Sequence, residues 1–139
     1  MKSETLEITP HHVGLSVPDL EASIKWYQEK LGFSLEKRIF LEQIPAKIAF
    51  LQNGKFRLEL FEVAGAAALP EARRSPNQDL MTHGTKHLSL GVKDVRKAME
   101  ILKSRGVDVA MENVVEGKPM AFIRDNSGNL IEINEVGRP

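Results

Sequence analysis

The chain has 139 residues, 42% hydrophobic and 27% charged, a balance that fits a folded globular protein and excludes a disordered one. Nineteen Lys+Arg against nineteen Asp+Glu give a formal net charge of zero, so neither nucleic acid nor a membrane surface is expected as a partner through bulk charge. The absence of cysteine excludes disulfides, thiolate metal sites and a cysteine nucleophile. No apolar run approaches the roughly 20 residues of a membrane span, and Met1 to Glu7 carry no apolar stretch of the secretory type, so a soluble, cytoplasmic protein is expected.

The elements are predicted in chain order as follows. From His12 to Val17 the residues alternate, with Val13, Leu15 and Val17 on one face and His12, Gly14 and Ser16 on the other, as in a half-buried strand. Asp19 is a good N-cap, Leu20, Ile24, Tyr27 and Leu31 recur at helical spacing, and Gly32 suits a left-handed stop. Strands follow near residues 33–41, 46–52 and 55–63, the last two joined by the hairpin signal Asn53-Gly54. Residues 64–86 form a connector with two prolines and the charged run Glu71-Ala72-Arg73-Arg74, suited either to a linker that lets modules repack or to a lid, and compatible with a short helix. A strand at 87–92, Asp94 as cap, a helix to about Arg105 and Gly106 as stop come next. Strands near 107–111, 119–125 and 129–136 close the chain, with a turn at Asn126-Ser127-Gly128.

The second half thus repeats the first, and direct superposition supports it. His12-Val-Gly-Leu-Ser-Val-Pro-Asp-Leu20 aligns with His87-Leu-Ser-Leu-Gly-Val-Lys-Asp-Val95, sharing His, Leu, Val and Asp. Leu58-Glu59-Leu60 aligns with Ile131-Glu132-Ile133 in the same order, with 47 residues from His12 to Glu59 and 45 from His87 to Glu132. The predicted fold is α+β: two βαβββ modules, about 10–63 and 87–136, forming one domain over 1–139 with a curved mixed sheet around a cleft.

In each module the apolar face of the first strand must pack on the helix, so His12 and His87 point the other way, beside the small residues Gly14, Ser16, Ser89 and Gly91. Small neighbours leave the space that a cleft wall needs. By the same alternation Glu59 and Glu132 point away from the core face of Leu58, Leu60, Ile131 and Ile133. Two imidazoles and two carboxylates can then converge on one concave surface. They balance the charge of a divalent ion and suit Ni²⁺, Co²⁺, Mn²⁺, Fe²⁺ or Zn²⁺, with positions open for water or substrate. The metal ligands expected are His12, Glu59, His87 and Glu132. His11 and His83 have no counterpart in the other copy and are read as surface or outer residues, Arg57, Arg73, Arg74 and Lys118 as solvated charges, and Trp26 and Tyr27 as packing.

With these segments, and with Trp26-Tyr-Gln-Glu-Lys-Leu-Gly-Phe33 and Phe122-Ile-Arg-Asp-Asn-Ser-Gly-Asn-Leu-Ile-Glu132, the chain resembles the vicinal oxygen chelate superfamily from about His11 to Glu135. That superfamily includes glyoxalase I, methylmalonyl-CoA epimerase, extradiol dioxygenases, fosfomycin-modifying transferases and metal-free bleomycin-binding proteins. The resemblance implies the same four ligands. The complete two-His, two-carboxylate set is most similar to bacterial glyoxalase I; methylmalonyl-CoA epimerase commonly has Gln where Glu59 stands. No glutathione-binding constellation is identified.

The resemblance further implies a divalent-metal-dependent lyase or isomerase that moves a proton through a metal-chelated enediolate on a small α-oxygenated carbonyl or thioester. Glu59 or Glu132 would be the general base. By analogy with small members of the family, a homodimer is expected, with sites either within one chain or shared between chains. The alternatives are an Fe²⁺ ring-cleaving or other dioxygenase, with one Glu uncoordinated, and a protein that sequesters a small molecule without reaction.

Overall fold

Asp19 and Asp94 start the two long helices in the same way. In the computed structural model, which describes residues 3–137, each carboxylate accepts a backbone N–H at 3.0 Å, from Ala22 and Lys97 respectively. A second carboxylate reaches each helix start from the last strand of its module: Glu62 accepts from Leu20 N at 2.8 Å and Glu135 from Val95 N at 3.1 Å. Anions thereby cover part of the orphan donors at each N-terminus and face the positive end of the helix dipole.

The elements are β1 (Val13–Ser16), α1 (Leu20–Leu31), β2 (Ser34–Leu41), β3 (Ala46–Asn53) and β4 (Phe56–Val63), then a 3₁₀ turn (Glu71–Arg74) and α2 (Pro76–Asp79). The second module holds β5 (Leu88–Val92), α3 (Val95–Ser104), β6 (Asp108–Val115), β7 (Lys118–Arg124) and β8 (Leu130–Glu135). The α+β fold with βαβββ twice is the observed one. α1 stops at Gly32, whose φ is 72°, and α3 just before Gly106, whose φ is 76°. β6 runs four residues further than predicted, because Glu116 (φ 51°) and Gly117 (φ 76°) make a two-residue hairpin that pairs Val114 with Pro119 and Val115 with Lys118.

Hydrogen bonding gives two four-stranded sheets, ordered β1-β4-β3-β2 and β5-β8-β7-β6, rather than one continuous sheet. The first strand of each module runs parallel to its last, and the other pairs are antiparallel. One apolar core spans both modules, uniting Leu20, Ile24 and Tyr27 with Leu58 and Leu60, and Met99 and Leu102 with Ile131 and Ile133. Polar contacts tie the modules as well: Tyr27 Oη donates to Asp125 at 2.8 Å, Ser23 Oγ to Asn126 at 3.3 Å, and Arg105 Nη1 to Lys30 O at 2.7 Å.

The connector is folded around a carboxylate. Asp79 is 1% exposed, with Arg73 Nε at 3.0 Å and Lys86 Nζ at 3.2 Å from Oδ1. Arg73 also donates to Thr85 O, and Lys86 to the carbonyls of Asp79 and Thr82. Lys86 directly precedes His87, so this cage fixes the point where the chain enters the second module. No helix among the described residues is long and apolar enough to cross a membrane.

Candidate metal centre

Parallel pairing of β1 with β4 sets Gly14 opposite Glu59, which leaves His12 one step diagonal to that carboxylate. β5 and β8 repeat the arrangement with Ser89 opposite Glu132 and His87 diagonal to it. The side chains meet as this register implies. His12 Nε2 lies 3.3 Å from Glu59 Oε1, and His87 Nε2 lies 3.1 Å from Glu132 Oε2. All four side chains are partly exposed and sit on the sheet face turned away from the helix.

A phenylalanine backs each pair. Phe50 stands opposite Glu59 on β3 and Phe122 opposite Glu132 on β7. The edge-to-face contacts are closely alike: His12 to Phe50 at 5.3 Å and 85°, His87 to Phe122 at 4.8 Å and 84°. The rings restrict how the imidazoles turn. Sequence reasoning missed both aromatics, although their shared position relative to the Glu residues is visible once the modules are superposed.

The two halves differ at the second imidazole nitrogen. His11 Nδ1 lies 2.6 Å from His12 Nδ1, so one of the two rings donates to the other while His12 Nε2 faces Glu59. His11 thus touches a predicted ligand, as an outer residue would, whereas His83 is exposed on the connector.

The small residues beside the histidines do not all play the same part. A Cβ on Gly14 would stand 3.2 Å from the Phe61 ring, and one on Gly91 would stand 2.4 Å from Val136 Cγ1. At Gly91 that space is filled by Val136, whereas Gly14 and Ser16 line an open cleft.

Within one chain the structure joins His12 to Glu59 and His87 to Glu132, but it does not bring the four together. Among the described residues no group of three or more His, Asp and Glu side chains is placed to share an ion. The free edge of β1 and the residues entering β5 instead face each other across a cleft of about 270 Å³ lined by Gly14, Ser16, Arg73, Lys86 and His87. Of the predicted surface charges, Arg73 is committed to Asp79, and Arg57 bonds Glu36 at 3.0 Å on the same face as Glu59.

The chain is similar to known proteins in sequence and in fold. The chain is 32% identical over 129 residues to a lactoylglutathione lyase of Haemophilus influenzae, covering 89% of this chain and 90% of the relative. It is 26% identical over 135 residues to the mitochondrial methylmalonyl-CoA epimerase of Homo sapiens, covering 91% and 73%. In fold it is similar to a glyoxalase family protein from Enterococcus faecalis, with a TM-score of 0.74 at 24% identity over 93% of this chain and 97% of that one. Residues 9–133 match the model of the Glyoxalase/Bleomycin resistance protein/Dioxygenase superfamily, and the chain belongs to that family.

Proposed function

We propose that the protein is a divalent-metal-dependent lyase or isomerase of the glyoxalase I type, acting by proton transfer on a small α-oxygenated carbonyl or thioester. One observation supports this most: a His–Glu pair backed by a Phe occurs twice, at equivalent register positions of two sheets. Two neutral imidazoles and two carboxylates fit a borderline divalent cation in donor type and in charge. The relatives named as a lyase and as an epimerase lie in the same broad reaction class.

The Tyr27–Asp125 and Lys30–Arg105 contacts hold the modules of one chain with their pairs apart. We therefore assign the complete site to a homodimer, with His12 and Glu59 of one chain facing His87 and Glu132 of a second copy. When bound there, the divalent ion supplies Lewis acidity toward two adjacent substrate oxygens. Glu59 and Glu132 stand within 3.3 Å and 3.1 Å of the histidines on the same sheet face, where either could take a proton from substrate carbon and return it. The two histidines and two glutamates would hold the ion, and Phe50 and Phe122 pack against the imidazoles and limit their rotation.

The test combines metal analysis with turnover. The protein, offered Ni²⁺, Co²⁺, Mn²⁺, Fe²⁺ and Zn²⁺, should retain about one ion per chain. Loaded with each, it is then assayed on hemithioacetals of α-ketoaldehydes and on branched acyl thioesters in an oxygen electrode. Turnover without oxygen uptake is the expected result. Failure to retain any ion, or oxygen uptake matching product, overturns the proposal.

A further inference from the structure

The two halves of the duplication share His, Glu and Phe but differ in the charges beside them. In the first sheet a bulge between Leu35 and Lys37 displaces Glu36 from the register and sets Lys37 opposite Phe50, the neighbour of Glu59. In the second a bulge between Val109 and Met111 does the same with Ala110 and Met111, opposite Phe122, the neighbour of Glu132. Arg57 lies two residues before Glu59 on the same strand face, and Leu130 lies two residues before Glu132. A Glu36–Lys37–Arg57 trio on the first wall therefore answers an Ala110–Met111–Leu130 trio on the second.

The side chains follow the register. Lys37 Nζ stands 5.1 Å from the centroid of Phe50, the ring that contacts His12. Arg57 lines a cleft of about 680 Å³ beside His12, together with His11 and Lys55. Glu36 offsets one cation of Lys37, Lys55 and Arg57, so the wall keeps a positive excess. The cleft of about 400 Å³ beside Glu132 is lined by Val115, Pro119, Met120 and Asn134, with Glu116, Lys118 and Glu135, and has no cationic excess. Arg124 of the second sheet is committed elsewhere, donating to Arg74 O at 2.7 Å and reaching Asp108 at 3.2 Å.

Each pair offers an ion the same donor types, so the difference between the walls bears on what extends beyond it. Resting on the metal-centred function proposed above, we infer that Lys37 and Arg57 are specificity-determining residues that hold an anionic arm of the substrate, a role for which the second wall has no counterpart. A carboxylate or phosphate on that arm replaces Glu36 as the partner of Arg57, or joins it, in a charge-assisted hydrogen bond.

The inference is tested with nickel-loaded protein and two probes that present adjacent oxygens, adipic acid monohydroxamate and hexanohydroxamate, which differ in a terminal carboxylate. By calorimetry the carboxylate probe should bind about tenfold more tightly. Lys37→Met and Arg57→Leu, which install the second module's residues, should each reduce that preference, and together bring it near parity. Arg57→Lys should keep most of it, and nickel content should be unchanged throughout. Equal binding to the wild-type protein, or a preference that survives the double substitution, overturns the inference and leaves the metal centre standing. A wild-type protein that retains none of the five divalent ions overturns both.

Discussion

Tyr27 on α1 donates its hydroxyl to Asp125, 98 residues away in the turn before β8, at 2.8 Å, with both side chains buried. Asp125 also accepts from Ser127 N, Asn129 N and Asn129 Nδ2, so one carboxylate organises the turn and binds it to the other module's helix. Burial, then the charge of Asp125 and the hydrogen bond to it, raise the tyrosine well above its ordinary value.

Tyr27→Phe should remove one charge-assisted hydrogen bond and keep the ring, costing about 1.5–2 kcal/mol and lowering Tm by about 5–8 °C. The pH dependence has a definite sign. A raised folded pKa contributes stability that is complete below the ordinary value near 10 and lost as pH rises through the raised one. This is the chain's one tyrosine, so the phenolate absorbance that grows in at 295 nm above the constant Trp26 background reports its ionisation. It should show no ionisation until alkaline unfolding, and titration near pH 10 in the folded protein would contradict this account.

Asp79→Asn should be more costly. Burial alone would push this carboxyl up, but hydrogen bonds and charges from Arg73 and Lys86 outweigh it and leave the group below its ordinary value. Breaking a buried ion pair costs about 3–5 kcal/mol, and the lower end applies because the Arg73 partner is partly solvated. The expected loss at pH 7 is about 3 kcal/mol, or roughly 10 °C in Tm. Because the folded pKa is lowered, the wild type's advantage is complete above the ordinary value of about 3.9 and is lost as pH falls through the lower folded value. Melting curves of the two proteins should therefore converge in acid. A constant gap would show that Asp79 acts by packing.

The features legible in the sequence were the local ones. Asp19 with Gly32, and Asp94 with Gly106, mark helix ends through contacts within a turn, and alternation around His12 and His87 reveals which face is apolar. The duplication made His12, Glu59, His87 and Glu132 stand out as a set. Nothing in the sequence singles out Asp79, because its burial depends on Arg73 and Lys86 folding back over it. Gly91 looked like open space because the residue that fills it, Val136 just beyond β8, is distant in sequence. Whether the two His–Glu pairs meet in one chain depends on how modules pack, and β-strand periodicity carries no information about that.

Glu59→Gln and Glu132→Gln keep side-chain size and remove most of the basicity. The one that acts as base should lose about 10²–10⁴ in kcat with metal retained, the loss typical of general-base removal. The other should chiefly weaken metal binding. Parallel measurements of kcat and metal content separate the two roles, and full activity in both variants would exclude a carboxylate base from this set.

Subunit mixing tests how the site is assembled. If each site draws His12 and Glu59 from one chain and His87 and Glu132 from another, neither His12→Ala nor His87→Ala homodimers should hold the ion tightly. A heterodimer of the two places both lesions in one site and leaves the other intact. Random re-assortment of equal amounts makes about half the dimers mixed, so about one quarter of the sites should regain wild-type affinity. The measurement is tightly bound nickel per chain after co-refolding, compared with each variant refolded alone. Recovery near one quarter establishes a shared site, because an intrachain site would carry one damaged histidine in every copy and recover nothing on mixing.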